Sequence, residues 1–197
     1  MKEKLTLRNV ILWGVASVLL VLFVVTFGAT AKFKGSVEGD SIVLTMRGAI
    51  WGITSISGYG GGSYFTESVD AAWRAASVPG IIGAILLLLS AGGLVLVSFL
   101  VKDEKTKKIL AIVCAGVILV ASVLMFFVGE VAWKQLQKEL EYGEHISVTI
   151  DQLKQIYSGV KASSGTGIFI GIAGILLSAG IVVTQLVVKD IKFIKSK

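Results

Sequence analysis

Charge is what this chain has least of. Only 16% of its 197 residues are Asp, Glu, Lys or Arg, against roughly 25% in a soluble globular domain. Its 54% hydrophobic content and mean hydropathy of +0.84 point the same way. Cysteine is nearly absent: Cys114 stands alone, so no disulfide can form within the chain, and a lone Cys in an apolar run reads as a small apolar side chain. Histidine is equally scarce. His145 is the single one, near Glu141 and Glu144, and without Cys or further His around it the set is too poor for a metal. A serine nucleophile needs a base, and no motif ties His145 to one. The sequence therefore predicts no catalytic residue, no metal and no cofactor, and a protein that is not an enzyme.

The charges present are segregated. The tracts Val10–Gly28, Val78–Val101, Ile109–Gly129 and Gly165–Val188 contain no Asp, Glu, Lys, Arg or His. Each approaches or exceeds the ~20 residues that cross a ~30 Å hydrocarbon core, where backbone groups must be satisfied within the segment. We read transmembrane helices over about 10–28, 78–101, 109–129 and 165–188, within one integral membrane domain spanning 1–197, joined by outer loops 29–77 and 130–164. Charge-driven transporters bury ionisable residues in such tracts; here Gln185 is the most polar residue. The connection "KDEKTKK" is short enough to make the second and third helices antiparallel neighbours.

Orientation follows from Lys and Arg. Eleven lie on three short segments: Lys2, Lys4 and Arg8; Lys102, Lys105, Lys107 and Lys108; and Lys189, Lys192, Lys195 and Lys197. Eight are spread over the two longer loops. Positive residues in short loops stay cytoplasmic, which places both termini inside a cell membrane. The same rule, with attraction to anionic lipid, accounts for the net charge of +6, so no nucleic-acid partner is expected. "MKEKLTLR", an apolar run and "ATA" have the parts of a signal peptide, but the 19-residue stretch Val10–Gly28 exceeds the roughly 7–15 residues of a signal core. An uncleaved helix is expected.

The outer loops carry the cap. Val37, Ile42, Leu44 and Met46 alternate with polar residues about a Gly39-Asp40 turn, which predicts a β-hairpin or small sheet. Gly58–Gly62 reads as a turn or flexible segment. Thr66 or Ser68 is expected to cap a short helix from Val69, and Pro79-Gly80 to kink or restart it at the membrane surface. The third helix is expected to continue through "GEVAWKQLQKELEY", with Glu130 and Lys134 in the favourable i,i+4 order. In "TIDQLKQIYSGV", Ile150, Leu153, Ile156 and Val160 fall at helical spacing. Helix four carries Gly167, Gly171, Gly174 and Ser178 on one face, the small-residue spacing that lets membrane helices approach closely. That face serves either packing within the bundle or self-association.

Gly58-Tyr59-Gly60 also invites comparison with a potassium filter, where successive backbone carbonyls replace an ion's water shell. Ile56 and Ser57 stand where such a filter has Thr-Val, no Asp follows Gly60, and "GAIWGITS" is a poor pore helix. A Gly-rich turn is the expectation.

The predicted fold class is an all-α membrane protein: a four-transmembrane-helix bundle with a small extracellular β-sheet/helix cap. This topology, with Trp51-Gly52 and "VDAAWRAASVPG", resembles the claudin/PMP22 tetraspan group. Position 53 is Ile and 54 is Thr, so the group's second Trp is missing, and its loop cysteines are absent. The resemblance implies a structural, adhesion or assembly protein with an exposed sheet. Trp51, Tyr59, Tyr64 and Phe65 are the candidate partner-binding residues; packing of the cap or an aromatic belt at the membrane interface is the competing role. The expected partners are the lipid bilayer and either a second copy or another membrane protein. An oligomeric channel or pore, and an accessory subunit of a larger complex, are the alternative functions.

Overall fold

The computed structural model describes residues 6–37, 40–60, 63–68, 76–134, 160–162 and 165–187. Four helices, each long and apolar enough to cross a bilayer, form a bundle. They are α1 (Leu7–Val25), α2 (Val78–Leu100), α3 (Glu104–Phe126) and α4 (Thr166–Val187). Helical structure resumes beyond a turn at Phe127 and runs on to Lys134, where Lys134 pairs with Glu130 at 2.9 Å. Helix α2 packs against α1 and α3, and α4 against α3 and, more lightly, α1.

Local signals fix the helix starts. Thr6 caps α1 by accepting from the Asn9 amide, and Ser77 caps α2 by accepting from the Gly80 amide. Asp103 does the same for α3 through Thr106. Pro79 sits in the first turn of α2, where its missing N–H costs nothing; of the kink or restart expected there, the position is a helix start. Large apolar side chains such as Val21, Leu89, Val120 and Leu176 point outward, all more than half exposed. Leu12, Leu19, Leu87, Leu94 and Ile118 fill the interior.

In lipid, apolar side chains gain nothing by leaving the tails for a neighbouring helix, so close backbone approach has to hold the bundle. The contact between α3 and α4 shows it. A Cβ at Gly171 would lie 2.9 Å from both the Ser122 carbonyl oxygen and Phe126 Cε2. At Gly174 it would run into Ser122 Oγ, and at Gly167 into the Met125 carbonyl. Ser178 Oγ donates to the Ala115 carbonyl at 2.8 Å. The small-residue face of α4 is thus taken up by α3 of the same chain.

At one end of the bundle lies an antiparallel five-stranded sheet in the order β4-β3-β2-β1-β5. Its strands are β1 (Thr30–Val37), β2 (Asp40–Arg47), β3 (Ser55–Gly60), β4 (Ser63–Ser68) and β5 (Val160–Ala162). The β1/β2 hairpin follows the alternation in sequence. Three expectations are corrected. Gly58, Tyr59 and Gly60 are not a turn: they lie in β3, paired with β2 on one side and β4 on the other. Strand pairing on both sides supports glycines that would weaken a lone strand. Nor are they a filter, since their backbone lies between two strands. Thr66, offered as a helix cap, lies within β4, and Ser68 ends that strand; the helix expected from Val69 lies outside the described residues. Val160, placed at helical spacing, opens β5 opposite Gly35. Residues 69–75 and most of the second helical expectation, with Ile150, Leu153, Ile156 and His145, lie outside the described residues.

Two predictions follow from these contacts. Gly171→Leu overpacks the α3–α4 contact and is expected to cost at least about 1–3 kcal/mol, whereas Gly180→Leu, with open space at its Cβ, stays within about 0.5 kcal/mol; thermal unfolding in nanodiscs measures both. The second concerns acid. The Thr106 hydroxyl and amide hold the Asp103 carboxyl below the usual carboxylate range. Its stabilising effect is therefore present above the ordinary carboxylate pKa and lost as pH falls through the lowered one. Acid titration followed by circular dichroism should show that step in wild type and lack it in Asp103→Asn.

Candidate functional site: the outer face of the sheet

Strand register sorts the sheet into two faces. Directly opposed antiparallel residues share a face. One row runs Ala31, Met46, Ile56 and the next Phe33, Leu44, Gly58; all six are buried. This face lies against the helical segment that follows α3: the rings of Phe33 and Trp133 are 4.8 Å apart, and Val128 and Ala132 are buried with them.

The opposite face alternates with it. Its rows are Thr30–Arg47–Ser55–Ser68, Lys32–Thr45–Ser57–Thr66 and Lys34–Val43–Tyr59–Tyr64, with Lys161 opposite Lys34 in β5. Among the described residues no Asp or Glu holds a register position in these rows. Lys32, Lys34 and Arg47 are exposed, and Thr45, Ser55 and Ser57 half-buried. An open groove of about 390 Å³ runs across this face, lined by Thr30, Lys32, Thr45, Arg47, Ser57 and their neighbours Val43 and Gly58. Among the described residues, two cations and three hydroxyls line it and no carboxylate does. Such a set takes an anion: Arg offers a planar fork to paired oxygens, Lys a point charge, and hydroxyls fill remaining lone pairs.

The four aromatic candidates separate. Trp51 lies in the 48–54 connection, not on the sheet. Its ring stacks on Phe27 at 5.1 Å and meets Phe23 edge-on, and its Nε1 donates to Thr26 Oγ1 at 2.9 Å. Tyr59 and Tyr64 are brought together as a cross-strand pair in the polar rows, while Phe65 falls in the row of Phe33 and Leu44. Gly167, Gly171, Gly174 and Ser178 lie on α4 and pack against α3, not on this face. Sequence reasoning missed Lys32, Thr45, Arg47 and Ser57. The available signal was the pairing of K-x-K in β1 with T-x-R in β2, each cation or hydroxyl alternating with an apolar residue.

No protein-family model matches this chain, and no curated protein matches it. Its four helices fit a tetraspan topology; the claudin/PMP22 resemblance gains nothing from those comparisons. Among the described residues no group of three His, Cys, Asp or Glu is placed to hold a metal.

The far end of the bundle carries a second polar set. Arg8 Nη1 pairs with Glu104 Oε2 at 3.0 Å, Lys107 Nζ donates to Asn9 Oδ1 at 3.4 Å, and Trp13 Nε1 donates to Ser98 Oγ at 2.6 Å. Arg8, Asn9, Lys107 and Ser98 are all buried. These bonds join α1 to α2 and α3 and make a polar layer between helices.

Trp51 is expected to act on stability. Trp51→Ala should cost about 2–3 kcal/mol, below the 3–5 of a fully buried Trp, and Trp51→Phe, which keeps the stack but removes the N–H that the buried Thr26 oxygen accepts from, about 1 kcal/mol. Thermal unfolding of both variants in one detergent measures the difference.

Proposed function

We propose that this is a non-enzymatic, multi-pass membrane protein that works by contact, in adhesion, assembly or scaffolding, through the outer face of its sheet. In this reading both termini are cytoplasmic and the sheet stands outside the cell membrane, a reading supported by the distribution of Lys and Arg over short and long loops. The observation that carries it is the polar face itself. A strand face on a membrane protein's cap has only water to satisfy, and any mixture of charges does that. Among the described residues, this one has cations and hydroxyls in register over four strands and no Asp or Glu at those register positions. The sheet is also a rigid platform, anchored below by Trp51 and behind by Trp133, which favours a binding role over a flexible one.

The packed interior supports contact over conduction. Leu12, Leu19, Leu87, Leu94 and Ile118 lie at 0% exposure between the helices, and the glycine face of α4 that an oligomeric pore would need is already covered by α3. The expected partner presents acidic groups, in a neighbouring membrane protein or a second copy of the chain.

The test is reversal of charge on the face. Chemical crosslinking in native membranes should give a discrete adduct for wild type, lose it in Lys34→Glu/Arg47→Glu, and retain it in Lys102→Glu at the opposite end. A wild-type chain that crosslinks to nothing, or an adduct indifferent to the reversal, refutes the contact reading.

A further inference from the structure

We infer that the last two turns of α4, residues 181–187, are a hinged segment that swings away from α1 and α3 about Gly180 and lets water reach the buried amide of Gln185. The inference goes beyond the contact function and does not rest on it; it requires only the four-helix bundle, and it holds for either orientation in a bilayer.

The amide is the first argument. Gln185 is 1% exposed, and neither its Nε2 nor its Oε1 has a hydrogen-bond partner. A buried amide left unpaired forfeits the bonds it makes in water, so the closed bundle is disfavoured at this point. The polar layer at the far end does not answer it. Helical side chains lean toward their own N-terminus. Lys107 on α3 therefore leans to the far end, where it meets Asn9. Gln185 leans the other way, because α4 runs from the sheet to the far end, and its amide is carried toward Ile181 and the apolar interior.

The second argument is where α4 is held. Toward the sheet it is clamped: Gly167, Gly171 and Gly174 leave no room for a Cβ against α3, and Thr166 meets Thr30. Among the described residues, Ser178 Oγ makes the last side-chain hydrogen bond from α4 to another helix, to the Ala115 carbonyl. Beyond it the ties stop. Arg8–Glu104, Lys107–Asn9 and Trp13–Ser98 join α1, α2 and α3 to one another at the far end, and none of them reaches α4.

The third is the chemistry at that boundary. Gly180 lies two residues past Ser178, with open space at its Cβ. Gly/Ser pairs are where helices kink, and glycine adds backbone freedom. The Thr184 hydroxyl donates back to the Gly180 carbonyl at 2.7 Å, a bond that tends to bend helices. Past the hinge, Ile181, Thr184 and Gln185 are the buried residues. Opening uncovers one apolar side chain and hydrates two polar ones. The end of the bundle opposite the sheet thus carries a two-state element of low local stability, which any ligand that prefers one state will shift.

The test is hydrogen exchange of the full chain in nanodiscs, read by mass spectrometry. In wild type, residues 181–187 should exchange faster than 94–100, the far-end turns of α2, which simple fraying would expose alike. Gln185→Leu removes the unpaired amide with little change of volume and should slow exchange at 181–187 about tenfold. Gly180→Ala should slow it about two- to fivefold. Gln185→Leu should also melt at or above wild type. A polar maleimide gives an independent readout: in a Cys114→Ala background, Ile181→Cys should be labelled, and Ile170→Cys, equally buried on the clamped half, should not. Exchange at 181–187 no faster than at 94–100, or unmoved by Gln185→Leu, overturns the hinge. A Gln185→Leu chain that melts below wild type shows the amide to be paired and overturns it as well. Equal labelling of Ile170→Cys and Ile181→Cys shows that the whole helix parts, and overturns the pivot at Gly180.

Discussion

Everything on the sheet side of this protein depends on how the chain leaves α1. Ala29 is fully buried, and its carbonyl accepts both the Gly48 amide at 2.9 Å and the Ala49 amide at 3.1 Å. Three residues earlier, the buried Thr26 hydroxyl donates to the Phe23 carbonyl at 2.6 Å and accepts from Trp51. Left unmade, each of these buried partners costs about 1–3 kcal/mol. They fix the 48–54 connection against the end of α1 and so set the height and direction of β1 and β2. Gly48 adopts φ 78°, and a Cβ there would meet the Gly52 carbonyl. The sharp return that lays Arg47 beside Thr30 therefore needs glycine at that position.

From that junction the two faces follow by period alone. Once β1 leaves with Ala31 and Phe33 toward the bundle, Thr30, Lys32 and Lys34 have the other side, and cross-strand register carries the division through β2, β3 and β4. A slip of one residue would bury Lys32 and expose Phe33. The apolar rows thus enforce the polar ones. The segment beyond Phe127 completes the arrangement, because Val128, Ala132 and Trp133 cover the buried rows that the bundle itself leaves open.

Those same rules explain what the sequence discloses. Charge-free tracts mark the helices because a buried charge in lipid is costly, and the β1/β2 hairpin shows because Ile42, Leu44 and Met46 keep strict alternation. Strand β3 does not, since Gly58 and Gly60 stand where a strand normally carries branched side chains, and glycine is punctuation to any local reading. Only the flanking strands reveal it as sheet. Val160 fails for a similar reason: three residues of strand cannot outweigh a helical spacing that extends over eleven. Trp51 is identifiable as important, but exposed-aromatic reasoning cannot tell an anchor from a contact when the deciding partner, Thr26, lies 25 positions away. The basic face is legible only after register is known, because its cations Lys32, Lys34, Arg47 and Lys161 come from three strands.

The polar layer at the far end answers a different need. The apolar contacts of the bundle specify that helices pack, and α3–α4 is fixed by glycine, but α1 has few small-residue contacts to set its vertical position. Arg8–Glu104, Lys107–Asn9 and Trp13–Ser98 each tie the first two turns of α1 to another helix. Buried ionic pairs add little net stability, since desolvation offsets attraction, but a shift of one turn would leave several charges unpaired. Their position at the helix ends keeps that desolvation tolerable, because Arg and Lys reach the interface from there. Close glycine packing therefore sets the distance between helices and the end layer sets their register. The sheet inherits both, because Thr30 and Thr166 meet only if α1 and α4 stand at the right heights.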